Sequence, residues 1–234
     1  MTASILEQVL KLERGLFFFL NGSDSAFWDH FFYIYSYKWT WIPFYLCFLF
    51  VFVYRKNWKE ILLILLSVSF VILLCDQIAS GFFKPTFQRF RPTHHPDFCE
   101  DVNTVFGYRG GRYGFISSHA ANAFGFAIFT ALLFKNRLFT GTILFFALIN
   151  AYSRVYLGVH FISDVVVGAL VGSMIGYIVY KLYGFCRKKI LKVSERGLKK
   201  SPYPVRNIYL LCAFYAIFII FLLMFNNQLI KFIH

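Results

Sequence analysis

Six ionisable side chains in this sequence fall in an order that suits phosphoryl chemistry. Lys84 and Arg91 enclose six residues, His119 directly follows Ser117 and Ser118, and Arg154, His160 and Asp164 follow one another at intervals of six and four. Guanidinium groups grip phosphate oxygens as a fork and an ammonium adds a point charge, so Arg91, Arg154 and Lys84 suit a phosphoryl group. The hydroxyls and backbone N–H groups of Ser117 and Ser118, at the start of a predicted helix, would add partial positive charge. His160 and Asp164, four residues apart, are predicted to share one helical face, where a carboxylate can orient one imidazole nitrogen and leave the other free to attack. His119 is then the candidate general acid for a departing alcohol. Taken singly, the His160–Asp164 pair reads equally as a structural pair at a helix end, and Lys84 or Arg91 as a cation snorkelling to an interface. It is their joint order that points to a site.

The elements that must position these groups are membrane helices. Of 234 residues 59% are hydrophobic and 15% charged, against about 25% charged for a soluble domain, which excludes an ordinary cytosolic enzyme. Apolar runs predict six spans at 27–54, 59–82, 117–135, 138–156, 160–183 and 205–230, each near the length that crosses a hydrocarbon core. The expected fold is an all-α integral membrane bundle of six transmembrane helices, a single domain over 1–234. Residues 1–22 read as an amphipathic helix lying on the membrane, with Glu7, Lys11, Glu13 and Arg14 interleaved among apolar positions. Trp28, Trp39, Trp41 and Trp58 fall near proposed span ends, where amphipathic rings favour headgroups. The segment 83–116, rich in Gly, Pro, Arg and His, is too long for a plain connection in so small a protein.

A formal charge of +13 from 24 Lys and Arg against 11 Asp and Glu divides by topology. Fourteen of those cations, from Arg55 through Lys135 and Arg187 to Arg206, fall in the loops after spans one, three and five. By the positive-inside rule that face is cytoplasmic. The ends of spans two and four and the starts of spans three and five then meet at the opposite face and bring the six chemical side chains together. The predicted location is a bacterial inner membrane with the site facing the periplasm. The partners are a lipid phosphate and membrane lipids, not nucleic acid.

These spacings resemble the type 2 phosphatidic acid phosphatase superfamily, whose fold is shared with vanadium haloperoxidases. Its pattern is Lys, six residues, Arg-Pro; then Pro-Ser-Gly-His; then Ser-Arg, five residues, His, three residues, Asp. The first part matches from Lys84 to Arg91 and Pro92, and the third as Ser153, Arg154, His160 and Asp164. The middle part reads Ile116, Ser117, Ser118, His119 and lacks the family's Pro and Gly; the missing Gly bears on how closely backbone approaches phosphate. The resemblance covers about 59–183. It implies attack by His160 through a phosphohistidine, orientation by Asp164, and protonation of the leaving lipid oxygen by His119. Lys84, Arg91, Arg154, Ser117 and Ser118 would hold the phosphoryl oxygens, with no metal and no cofactor. The chain looks like the lipid A phosphatases of that family, which implies lipid A phosphate as substrate. Undecaprenyl pyrophosphate, phosphatidylglycerol phosphate and phosphatidic acid are the alternatives.

Other residues carry less. His94 and His95 suggest a metal site but lack nearby partners and read as loop residues. Asp76, within span two, reads as structural support that bonds a basic or polar partner on a neighbouring helix. Arg109 and Arg112 read equally as headgroup contacts and as solvated cations. Two other functions use the same cations: a transporter or flippase that binds lipid phosphate without cleaving it, and a phosphotransferase to a second acceptor.

Overall fold

The computed structural model describes residues 2–233, with side chains from 6 onward. Helix α1 (Thr2–Leu20) precedes a bent pair, α2 (Ala26–Ser36) and α3 (Ile42–Val53), joined by a 3-10 turn at Lys38–Trp41. Then come α4 (Trp58–Phe87), α5 (Ser118–Phe134), α6 (Arg137–Tyr156), α7 (Ile162–Ile190) and α8 (Val205–Ile233). Among the described residues there is no strand, only one antiparallel bridge between Phe90 and Tyr113.

Four helices, α4, α6, α7 and α8, are long and apolar enough to cross a membrane, and α2 with α3 makes a fifth if the pair is one span. That pair is bent by 69°, so the first predicted span is broken rather than continuous. Pro43 sits at the start of α3, where its missing N–H costs nothing. Trp41, expected at the headgroups, is instead buried at the break: its indole N–H donates to the Tyr35 carbonyl at 2.7 Å, and its ring meets Tyr35, Phe44 and Phe146. Trp28, Trp39 and Trp58 are exposed. Helix α5, at 17 residues, is the shortest of the apolar elements predicted to span.

Helix α5 lies at the centre of the bundle against α7, and the seam between them is made of small residues. A Cβ on Gly168 would lie 2.6 Å from the Ser117 carbonyl oxygen, one on Gly172 2.1 Å from that of Ala121, and one on Gly176 2.3 Å from that of Gly125. The spacing of four on both helices places these residues on one face each, so backbone meets backbone along two turns, as small residues allow in membrane helices. The seam runs directly to Ser117, whose N–H donates to the Asp164 carbonyl at 2.9 Å. The starts of α5 and α7, which carry His119 and Asp164, are thereby locked together.

Helix α4 contains a π-helical stretch over Gln77–Phe83 before it ends at Phe87. Such bulges shift side chains around the helix face, often at functional sites. Residues 88–117 cross the same end of the bundle in short turns, tied where the Arg91 N–H donates to the Arg112 carbonyl at 3.0 Å and that of Gly114 to the Arg89 carbonyl at 2.9 Å.

Candidate active site

The ends of α4 and α6, the starts of α5 and α7, and the loop 88–117 bring all the sequence-selected residues to one end of the bundle. Lys84, one turn after Ser80, donates to the Ser80 hydroxyl at 3.0 Å and to that of Ser118 at 2.7 Å. The serine that stands where the family has glycine thus gives Lys84 an anchor rather than an obstruction. Ser117 caps α5, accepting from Ala120 N–H at 3.4 Å, which leaves the first N–H groups of α5 directed toward the cluster. His119 lies in the first turn of α5 and lines the cleft.

His160 and Asp164 meet in a way the i, i+4 spacing does not describe. His160 lies in the loop before α7, and Asp164 is in that helix's first turn, where its Oδ2 accepts the Phe161 N–H at 3.0 Å. The carboxylate is therefore a helix cap that reaches back toward the imidazole, rather than a neighbour along one helical face. His160 Nδ1 is 3.4 Å from Asp164 Oδ2, longer than a formed hydrogen bond, as is common before substrate tightens a site. The other ring nitrogen, Nε2, lies 3.1 Å from Arg91 Nη1. Burial, reinforced by Arg91, Arg154 and Lys84, holds this imidazole well below its ordinary range and hence neutral.

Arg91 is fixed by the carbonyls of Tyr113 at 3.2 Å and Val159 at 3.1 Å, so its charge meets no carboxylate. Arg154, 2% exposed, donates to Tyr108 Oη at 3.0 Å and to the Ser36 hydroxyl, and among the described residues its buried Nε has no partner. A buried guanidinium with an unused donor and no carboxylate is costly unless an anion comes to it. The arrangement presents three cations to a group that would sit between His160 Nε2 and His119.

Four contributors were not selected from the sequence. Arg89 donates to Asp164 Oδ1 at 2.8 Å and, through its other nitrogen, to Glu13 at 2.7 Å. Tyr108 holds Arg154. Gly114 packs so tightly that a Cβ would lie 3.1 Å from both the Arg91 side chain and Asp164 Oδ2. Only Arg89 carried a signal, its two-residue offset from Arg91 in an extended segment, which puts both on one side.

The remaining candidates lie aside. His94 Nδ1 is 3.1 Å from the Thr93 hydroxyl, and His95 stacks on Phe98 with centroids 4.0 Å apart. Among the described residues no three His, Cys, Asp or Glu side chains form a metal site. Arg109 and Arg112 are exposed. Asp76 meets Ser80 of its own helix at 3.4 Å rather than a neighbouring helix, and lines the cleft.

From His119 and Ser118 a cavity of about 540 Å³ runs between α3, α4 and α5. Lys38, Asp76, Ser118 and His119 line its site end, and Tyr45, Phe48, Phe52, Leu65, Val68 and Phe126 its course along the helices. Tyr45, Leu49 and Ile72 on its wall are also exposed on the outer surface of the bundle, so the cavity opens sideways.

A helical bundle with histidines and cations gathered at one end defines a membrane phosphatase, and the chain belongs to the PAP2 superfamily, whose model matches residues 61–188. It is 48% identical to the lipid A 4'-phosphatase of Porphyromonas gingivalis over 81% of this chain and 80% of that protein. It is 36% identical to the lipid A 4'-phosphatase of Bacteroides thetaiotaomicron over 75% and 79%. A putative undecaprenyl-diphosphatase of Escherichia coli, YbjG, matches at 38% identity over only 36% of this chain and 41% of its own. The crystal structure of Aquifex aeolicus LpxE superimposes with a TM-score of 0.54 at 28% identity, covering 73% of this chain and 95% of that one. The chain is thus a phosphatase, and the transporter reading that the same cations allow gives way.

Proposed function

We propose that this protein removes a phosphate from lipid A at the periplasmic face of a bacterial inner membrane, through a phosphohistidine on His160. The observation that carries the reading is the gathering of His160, its Nε2 3.1 Å from Arg91 Nη1, with Arg154 and Lys84 at the end of the bundle where Ser118 and His119 line the start of an apolar groove. The Nε2 lone pair attacks phosphorus, the bond from phosphorus to the lipid oxygen breaks, and His119 donates a proton to that oxygen. Water, losing a proton to His119, then attacks the phosphohistidine and releases inorganic phosphate with His160 restored. Arg91, Arg154, Lys84 and the Ser118 N–H stabilise the phosphoryl oxygens, whose charge spreads in the transition state, while Ser117, whose N–H is taken by the Asp164 carbonyl, fixes the start of α5 rather than binding phosphate. Asp164, 3.4 Å from Nδ1, closes on that N–H as the reaction proceeds and stabilises the imidazolium that develops. The groove's sideways opening fits an amphiphile that enters from the bilayer, and the two lipid A 4'-phosphatase relatives favour lipid A among such lipids.

In this reading α5 is a sixth span, since 17 residues rise about 26 Å. The whole chain works as one domain around the motif core 59–183. Lys135, Lys181, Arg187, Lys188 and Lys200 gather at the far end, which supports a cytoplasmic orientation for that end. Helix α1 rests on the outer membrane face through Leu12, Leu16 and Phe19, which are exposed.

The test uses purified enzyme in micelles with lipid A, undecaprenyl pyrophosphate, phosphatidylglycerol phosphate and phosphatidic acid. Lipid A is expected to release phosphate fastest, with an acid-labile phosphoenzyme and inhibition by vanadate. His160→Ala is expected to lose about 10³-fold or more of the rate. Retained turnover in that variant would overturn the mechanism, and preference for another lipid would overturn the substrate.

A further inference from the structure

Helix α1 buries Leu10, Glu13 and Phe17, one face at spacings of three and four. A carboxylate in the middle of an apolar stripe costs several kcal/mol unless it is paired, and Glu13 is fully engaged. Its Oε1 accepts from Arg89 Nη2 at 2.7 Å and from the Ser163 hydroxyl at 2.6 Å, and its Oε2 from the Ser163 N–H at 2.7 Å. Arg89 in turn donates to Asp164 Oδ1 at 2.8 Å while its guanidinium lies over the Phe161 ring, 4.4 Å from the centroid. The result is a buried line of hydrogen bonds from Glu13 through Arg89 to Asp164, whose other oxygen lies 3.4 Å from His160 Nδ1, joining the N-terminal helix to the reacting imidazole.

We propose that Glu13 is a positioning residue of the reaction, acting through Arg89 to keep Asp164 both fixed and effectively anionic. Charge balance is the reason. Arg89 paired with Asp164 alone would be a neutral unit, and its field at His160 would oppose that of the carboxylate. Adding Glu13 restores a net charge of −1 to the group, so Asp164 can stabilise the positive charge that His160 gains as it bonds to phosphorus. Ser163, bonded to both Glu13 and Arg89, holds the start of α7 in register with them. Among the described residues the side chains of Glu13, Arg89 and Ser163 bond to one another and to Asp164 and not to Lys84, Arg91 or Arg154, so the effect falls on turnover rather than on phosphate binding.

The inference rests on His160 as the attacking residue, and the two fail separately: a fully active His160→Ala sinks that reading, whereas the measurements here use enzymes that retain His160. In full-length enzyme, with the folded fraction set by size exclusion, Glu13→Gln is expected to lower kcat about 10- to 100-fold, the range found for partners that orient metal-ligating imidazoles, with KM within about twofold. The decisive comparison is Glu13→Gln combined with Arg89→Gln. The glutamine at 89 keeps an N–H donor for Asp164, and removing both charges returns the net charge to −1. The double variant is therefore expected to recover turnover relative to Glu13→Gln alone. Unchanged kcat in Glu13→Gln, a change confined to KM, or a double variant no faster than the single would each overturn the proposal and leave Glu13 as a fold contact.

Discussion

The two ends of the bundle both bury charge, and they treat it in opposite ways. At the end away from the site, Glu60 and Arg187 form a pair at 3.0 Å with both side chains largely buried, and Tyr183 donates to the same carboxylate. The buried charges of that pair complement each other. At the site end Asp164 is shared with Arg89, while Arg91 and Arg154 are held by carbonyls, hydroxyls and the His160 imidazole with no carboxylate among the described residues, and Arg154 retains an unused buried donor. A closed pair describes a structural element; uncompensated buried cations describe a place where an anion belongs.

Substitution should separate the two ends most sharply at Arg154. Arg154→Leu is expected to lower kcat/KM by about 10²- to 10³-fold, near 3–4 kcal/mol of transition-state stabilisation. The folded protein should be as stable as the parent or more so, because an unpaired buried charge is gone. Phosphate release and thermal unfolding in one detergent measure both, and a variant that loses stability along with activity would show that Arg154 is structural. At the other end the pattern should invert. Arg187→Leu strands the Glu60 carboxylate and should cost about 3 kcal/mol of stability, with turnover per folded molecule within about twofold of the parent. A selective loss of turnover there would erase the distinction.

The seam that joins the ends should show both effects at once. Gly172→Val places atoms against the Ala121 backbone and should cost about 2 kcal/mol of stability. Because α5 carries His119, the same displacement should reduce kcat in the molecules that remain folded. A stability loss with full activity would mean that the site tolerates movement of α5 against α7.

How far these features could be read in the sequence follows from how local each one is. Lys84 with Arg91, Ser117 to His119, and Arg154 to Asp164 are short-range spacings, and a bundle of alternating helices brings them to one end. Glu13 and Arg89 lie 76 residues apart, and nothing in the composition of an amphipathic helix says which of its charges turns inward. The π-helical stretch at Gln77–Phe83 leaves hydropathy unchanged. Trp41 shows the limit of a positional rule: a tryptophan near a span end marks the interface only if the span continues straight, and the break after Ser36 turns it into the core. The pairing of Arg187 with Glu60 was hidden in a run of basic residues that looked uniform.

The smallest expected difference concerns pH, and it tests whether His160 is kept neutral. Unfolded, its imidazole binds a proton near pH 6.5; folded, burial and the nearby cations hold it well below that. Between the two values the unfolded chain carries a proton the folded one does not, so stability falls as pH drops below about 6.5, by up to about 1.4 kcal/mol per pH unit. His160→Gln removes this contribution. From pH 7.5 to 5.5 the parent should therefore lose about 1 kcal/mol more stability than the variant, measured as the difference between their unfolding free energies at each pH. The far end, whose pair contains no imidazole, cannot supply that difference. Parallel losses in the two proteins would mean that folding does not lower the His160 titration, and a smaller loss in the parent would mean that the imidazole is held protonated, without the Nε2 lone pair that attacks phosphorus.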